Sequence, residues 1–234
     1  MLMSSSPGVL DEDEYEIKIE LWEGSYLELH TQSYQRLFNM KTGAKQGMEV
    51  CLEKGSSFVY LPHPAVPHEN SIFIAKNRIY LNDDCRLLWG EVLTCGRKLS
   101  KRSFSENGEI FQFSKYHNIT EVFINDKPVI KENLLMQPLL SNINSMGQLE
   151  GFTHQASFIY LDEKADCQEI SNAIHEYLSL QKEMISGITS APVNGLLIRL
   201  LGYKAEQLHD CLKAIRKIIS ATIDKTNTAR AYAN

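Results

Sequence analysis

Apolar and polar residues alternate along the first part of the chain in a shape that recurs. Ile19 and Leu21 stand among polar neighbours, a turn follows at Gly24-Ser25, and alternation resumes at Leu27 and Leu29. The same shape returns with Val50 and Leu52, Gly55-Ser56, then Phe58 and Tyr60. It returns more loosely with Ile79 and Leu81, Asp83-Asp84, then Leu87 and Trp89. Period-2 alternation on either side of a tight turn predicts strand, turn, strand. The interval is 31 residues from Leu21 to Leu52 and 29 from Leu52 to Leu81. A period near thirty suggests stacked units, each burying its apolar face against the next. Three unrelated hairpins of a β-sandwich are the alternative.

Further strands are predicted at Ile110–Phe113, Thr120–Ile124 and Val129–Leu134, with a turn at Asn125-Asp126-Lys127-Pro128 joining the last two. Residues 138–151 read as a loop. From about residue 152 the texture changes: a strand over Gln155–Leu161, then a helix capped by Asp166, with Glu169 three residues on. Ile170, Ile174, Tyr177 and Leu178 form its apolar stripe. A loop through Gly187 and Pro192 leads to a strand over Gly195–Leu201, and a second helix starts near Lys204 with Leu208, Leu212, Ile215 and Ile219 on one face. The expected fold is therefore mainly β: stacked strand-turn-strand units or separate hairpins over residues 1–150, and a small α+β portion with two helices over 151–224, packed on it. Residues 225–234 read as a flexible tail.

Composition narrows the function. At 234 residues, 43% hydrophobic and 23% charged, the chain has the material for a real core. A net charge of −5 argues against wrapping nucleic acid. Five scattered cysteines (Cys51, Cys85, Cys95, Cys167, Cys211) contain no Cys-x-x-Cys pair, so they read as reduced thiols of a cytoplasmic protein rather than a zinc site. No apolar run approaches the ~20 residues of a membrane span, and the first residues lack the basic and apolar parts of a signal peptide. Hydrolase, zincin, P-loop and dinucleotide motifs are absent, which favours a non-enzyme.

Four stretches carry candidate chemistry. Pro62-His63-Pro64-Ala65-Val66-Pro67-His68-Glu69 puts two imidazoles and a carboxylate on a proline-stiffened loop, a donor set that nickel accepts. No regular element places that spacing on one face, so an ordinary surface loop competes with a metal site. Asp11–Glu16 carries five acids, a solvated terminus or an attractor of divalent cations. Arg97–Arg102 is a basic run, a solvated loop or a dock for an acidic partner. Finally, Leu87–Arg97 reads Leu-Leu-Trp-Gly-Glu-Val-Leu-Thr-Cys-Gly-Arg. Glu91 is the one carboxylate in a run otherwise suited to a buried strand, so it must be paired, solvated or functional. His30 and His154 read as structural histidines.

The Trp-Gly-Glu…Gly-Arg run resembles the signature stretch of urease accessory protein D, called H in some organisms. In order along the chain, Pro7–Ile19, Leu29–Met40, Phe58–Phe73, Gly151–His154 and Gly195–Gly202 resemble other segments of that family. Glu12 departs from it, standing where the family has Gly before the Asp matched by Asp13. The family's strands ahead of that turn are not seen here, so an exposed sheet edge is expected. The resemblance implies a β-helix-like stack with a small α-containing portion, and a non-enzymatic chaperone of urease maturation that binds accessory protein F, which binds the nickel-carrying GTPase G, and that contacts apo-urease. It implies Ni²⁺ in transit along a wet, acid-lined channel, with no tightly bound cofactor. By position, Glu91 and Asp13 would lie near that path. Two rivals remain: a β-solenoid scaffold with no metal role, and a metal-dependent enzyme using His63, His68 and Glu69.

Overall fold

The structure, a computed structural model, describes residues 1, 3, 6–98 and 108–232, with side chains as far as Lys225. It is mainly β with two helices. In chain order come β1 (Glu14–Leu21), β2 (Tyr26–Leu29), β3 (Gln35–Leu37), β4 (Ala44–Leu52), β5 (Ser57–Tyr60), β6 (Ala65–Pro67), β7 (Ile72–Leu81) and β8 (Arg86–Leu93). Then follow β9 (Lys115–Ile124), β10 (Lys127–Met136), β11 (His154–Asp162), α1 (Cys167–Ser179), β12 (Met184–Ser190), β13 (Gly195–Gly202) and α2 (Ala205–Tyr232).

The recurrence seen in the sequence is a recurrence of pairing. Leu21 lies beside Leu52, and Leu52 beside Leu81, in parallel register along β1, β4 and β7. Tyr26, Ser57 and Arg86 line up in the same way along β2, β5 and β8. Each unit sends its first strand to one sheet and its second to the other, so the connecting turns stack. Gly24 N–H donates to the Lys54 carbonyl and Gly55 N–H to that of Asp83, at 3.0 and 3.1 Å. The corresponding residue of each turn, Gly24, Gly55 or Asp84, has φ between 59° and 69°. Glycine and aspartate are among the residues that take this conformation most readily.

Both sheets are mixed. The first runs β1-β4-β7-β9-β10, parallel except for the last pair. That pair is joined at Asn125 and Asp126, both at positive φ, as a two-residue hairpin requires. The second runs β12-β13-β11-β8-β5-β2, with β3 and β6 alongside. Because β11 pairs antiparallel with β8, the C-terminal strands extend a sheet begun by the N-terminal ones. Both helices cover its outer face, where Ile170, Ile174, Leu208, Leu212, Ile215 and Ile219 pack on Val59, Leu88, Phe158 and Ile198. Each such side chain contributes roughly 1.5–3 kcal/mol by leaving water. Asp166 caps α1, accepting from the N–H groups of Gln168 and Glu169 at 3.0 Å each.

Three local readings need correction. Ile110–Phe113 is irregular rather than a strand: Phe111 sits at φ 54° and bonds back to the Cys95 carbonyl. The segment expected as a loop through Gly187 contains an edge strand, β12, whose exposed, weakly apolar residues hide the alternation. The backbone of α2 continues past Asp224 to Tyr232, beyond the point where polar composition suggested its end. Among the described residues, no helix is long and apolar enough to cross a membrane.

Candidate functional site

Strand parity decides what faces what. Along β8, Leu88 and Val92 point to the helices, whereas Leu87 and Trp89 point between the sheets. Gly90 shares the helical side. A Cβ there would lie 2.6 Å from Leu61 and 3.0 Å from Leu212 and Phe158, so only glycine lets α2 approach this closely. Glu91 therefore falls on the inner side, between the two sheets.

Glu91 does not sit there alone. In the second sheet it is level with Ser157 of β11, which is level with Arg199 of β13. In the first sheet Asn77 of β7 is level with Thr120 of β9, which is level with Glu132 of β10. Hydrogen bonds tie these rows together. Asn118 donates to Glu91 at 2.6 Å, and Asn77 donates to Asn118 and Thr120 at 3.0 Å each. Arg199 donates twice to the Glu132 carboxylate, at 2.8 and 2.7 Å. The result is a polar layer through the interior, between an apolar cluster built on Phe58, Ile79 and Trp89 and another built on Leu37, Phe73 and Phe113.

A cavity of about 690 Å³ opens onto this layer, lined by Glu91, Asn118, Glu132, Ser157 and Arg199 among others. It explains why Glu91, deep in the molecule, still keeps accessible surface. Burial pushes the carboxyl up to about 7, and Glu132 adds repulsion; the bond from Asn118 works the other way. Trp89 also favours the charged form, yet its indole N–H reaches no partner at hydrogen-bonding geometry; its effect is one of proximity rather than a formed bond.

The other sequence candidates lie elsewhere. Asp13 closes a turn, accepting from Leu10 N–H at 2.8 Å and from the Tyr15 hydroxyl at 2.9 Å, and does not line the cavity. Within the same acidic run Asp11 accepts from the N–H groups of Lys41, Thr42 and Gly43, which hold it below the usual carboxylate range. His63, in the break between β5 and β6, bonds Thr31 and faces His209 of α2. His68 is buried edge-on against Phe38, 4.8 Å between ring centres, and burial lowers it to about 4. The Glu69 N–H donates to Glu109 at 3.2 Å. His63, His68 and Glu69 therefore do not converge, and among the described residues no three His, Cys, Asp or Glu side chains gather around a point that could hold an ion. His30 pairs with Glu28, and His154 is buried beside Thr153.

The Gly-Arg end of the signature stretch is structural. Gly96 has φ 110°, and a Cβ there would stand 2.4 Å from the Glu109 carbonyl oxygen. Arg97 forms an ion pair with Glu109, whose side chain is 2% exposed. The rest of the basic run, from Leu99 to Arg102, lies outside the described residues.

Sequence reasoning missed Asn118, Glu132, Ser157 and Arg199. The signal was present in parity: each is a polar residue in phase with inward apolar neighbours, as Arg199 is with Leu197 and Leu201.

The family model described as UreD urease accessory protein matches residues 1–231. The chain belongs to this family. It is 46% identical to the UreD urease accessory protein of Flavobacterium johnsoniae over 230 residues, 97% of this chain and 80% of that one. UreD of Acetivibrio thermocellus is 31% identical over 224 residues, and UreD of Actinobacillus pleuropneumoniae serotype 3 is 30% identical over 226. Both alignments cover 94% of this chain and 81% of the relative. Within this UreD chain, the acid that stands out in the sequence is the acid that lines the interior cavity.

Proposed function

We propose that this UreD protein is a non-catalytic factor in urease maturation, and that its interior cavity holds Ni²⁺ briefly on the way to the urease active site. The family and the names of its relatives support the first part. The second rests on one observation: Glu91 is enclosed by protein yet keeps accessible surface on a cavity that it shares with Glu132, Asn118 and Ser157.

The chemistry suits a cargo ion rather than a resident one. A hard or borderline divalent ion accepts carboxylate, amide and hydroxyl oxygens together with retained water. Passage requires that entry be favourable and release easy. A carboxyl that titrates near 7 meets both needs. It takes on its charge as the ion arrives and releases a proton, and it recovers the proton as the ion leaves. A closed thiolate cage would bind too tightly for onward release.

On this reading the three recurring units form a β-helix-like stack whose last strand, β8, carries Glu91 into the cavity, and the protein works in the cytoplasm. Its partners are accessory protein F, the nickel-carrying GTPase G that F engages, and apo-urease. Reconstituted activation of apo-urease with Ni²⁺ tests the proposal. Glu91→Gln should lower the urease activity reached while leaving the accessory complex assembled on a sizing column. Full activation by Glu91→Gln would reduce the protein to a scaffold that never handles the metal.

A further inference from the structure

A second group of metal-capable side chains lies on the other side of the second sheet, outside the cavity. His63, in the break between β5 and β6, and His209, on α2, bring their rings to 5.0 Å between centres with the planes at 50°. His209 is 5% exposed, and its Nε2 has no hydrogen-bond partner among the described residues. An unsatisfied ring nitrogen at that depth is destabilising and calls for a partner.

The Leu61 backbone carbonyl lies near the His209 ring and favours its charged form, without a bond of hydrogen-bonding geometry. The His63 ring is fixed through its Nδ1 nitrogen. His63 Nδ1 lies 3.0 Å from the Thr31 hydroxyl oxygen, which also accepts the His63 backbone N–H at 2.8 Å. Thr31 can accept from or donate to this nitrogen according to the tautomer, and an ion on Nε2 selects the form in which Nδ1 donates. The spacing also fits. Two imidazoles binding one ion at ~2.1 Å from each nitrogen have ring centres about 4.6 Å apart at a right angle and about 5.3 Å at a tetrahedral one. The observed separation falls between the two.

We propose that His63 and His209 form a two-imidazole site for a divalent transition-metal ion, with water completing the coordination. Asp210, exposed on α2 next to His209 and bonded to Lys213 at 3.3 Å, adds negative charge beside the pair. The ion would tie α2 to the β5–β6 break. The site shares no residue with the cavity, so it stands or falls independently of the proposed passage through Glu91.

Calorimetric titration with Ni²⁺ alone tests it, in full-length protein carrying Glu91→Gln so that the cavity acid does not contribute. One equivalent should bind, and adding His63→Ala should weaken it at least tenfold. Cu²⁺ as a spectroscopic probe should show two imidazole nitrogens in its paramagnetic resonance spectrum, and one after His63→Ala. His209→Gln should act like His63→Ala. If circular dichroism shows that His209→Gln does not fold, the half-buried His63 and Thr31→Val carry the test, the latter with a several-fold loss. Unchanged Ni²⁺ affinity and nitrogen count in His63→Ala, or no Ni²⁺ binding with both histidines intact, would overturn the proposal.

Discussion

Asn118 of β9 reaches across the gap between the two sheets and donates to Glu91 of β8 at 2.6 Å. Asn118 is in turn held by Asn77, so the acid is gripped from the opposite sheet by a side chain that is itself fixed. A carboxylate so placed costs free energy when charged and little when neutral. Its folded-state value near 7 stands above its ordinary 4.5, so its contribution to stability is complete below 4.5 and is lost as pH rises through 7. Urea denaturation from pH 4.5 to 8 should therefore show the wild type losing ground against Glu91→Gln by at most about 3 kcal/mol, levelling off above pH 7. A parallel pair of curves would show that cavity water solvates Glu91 fully.

Three buried histidines act in the opposite direction. His68, His154 and His209 are each lowered by burial to about 4. Such groups contribute stability that is present above their ordinary value of 6.5 and lost as pH falls towards 4. Three histidines outweigh one glutamate, so the midpoint of urea unfolding should fall on acidification from 6.5 to 4. Replacing His154 by Phe should flatten that fall by roughly half.

The Arg199–Glu132 pair joins the two sheets at the cavity, with Arg199 69% exposed. An exposed pair of this kind adds only ~0.2–1 kcal/mol to stability. Its larger effect is on the cavity, where the guanidinium occupies the carboxylate that a cation would need. Arg199→Gln should leave the melting temperature within a few degrees and raise Ni²⁺ uptake in equilibrium dialysis several-fold, an increase that Glu132→Gln should cancel.

Arg97 protects Glu109, which is almost completely buried. Removing the guanidinium leaves the carboxylate without its counter-charge, so Arg97→Ala should cost about 3 kcal/mol in chemical denaturation. Adding Glu109→Gln should recover much of that loss. Gly96→Ala should be comparably damaging, because both the positive φ and the nearby Glu109 carbonyl oppose a side chain. Equal stability of Arg97→Ala and wild type would show that solvent reaches Glu109.

What could be read from the chain depended on whether local pattern sufficed. Alternation around Gly24, Gly55 and Asp84, at intervals of 31 and 29 residues, revealed the paired strands, because parallel stacking demands repeated shape at repeated distance. The Asp166 cap and the α2 stripe were equally local. Strand β12 escaped because an exposed edge imposes no apolar pattern. The proximity of His63 and His68 along the chain misled: prolines and the β5–β6 break turn their rings to different neighbours.

Sequence alone singled out Glu91 as a charge in an apolar strand, since the cost of burying it is a property of the residue and its immediate neighbours. Only the tertiary structure decided what surrounds it. Ser157, Asn118, Glu132 and Arg199 come from four other strands, and their meeting depends on the register between strands and the packing of one sheet on the other. His209 was brought to His63 in the same way, by a helix that begins more than a hundred residues further along the chain. Neither meeting is encoded in any stretch short enough to read by pattern.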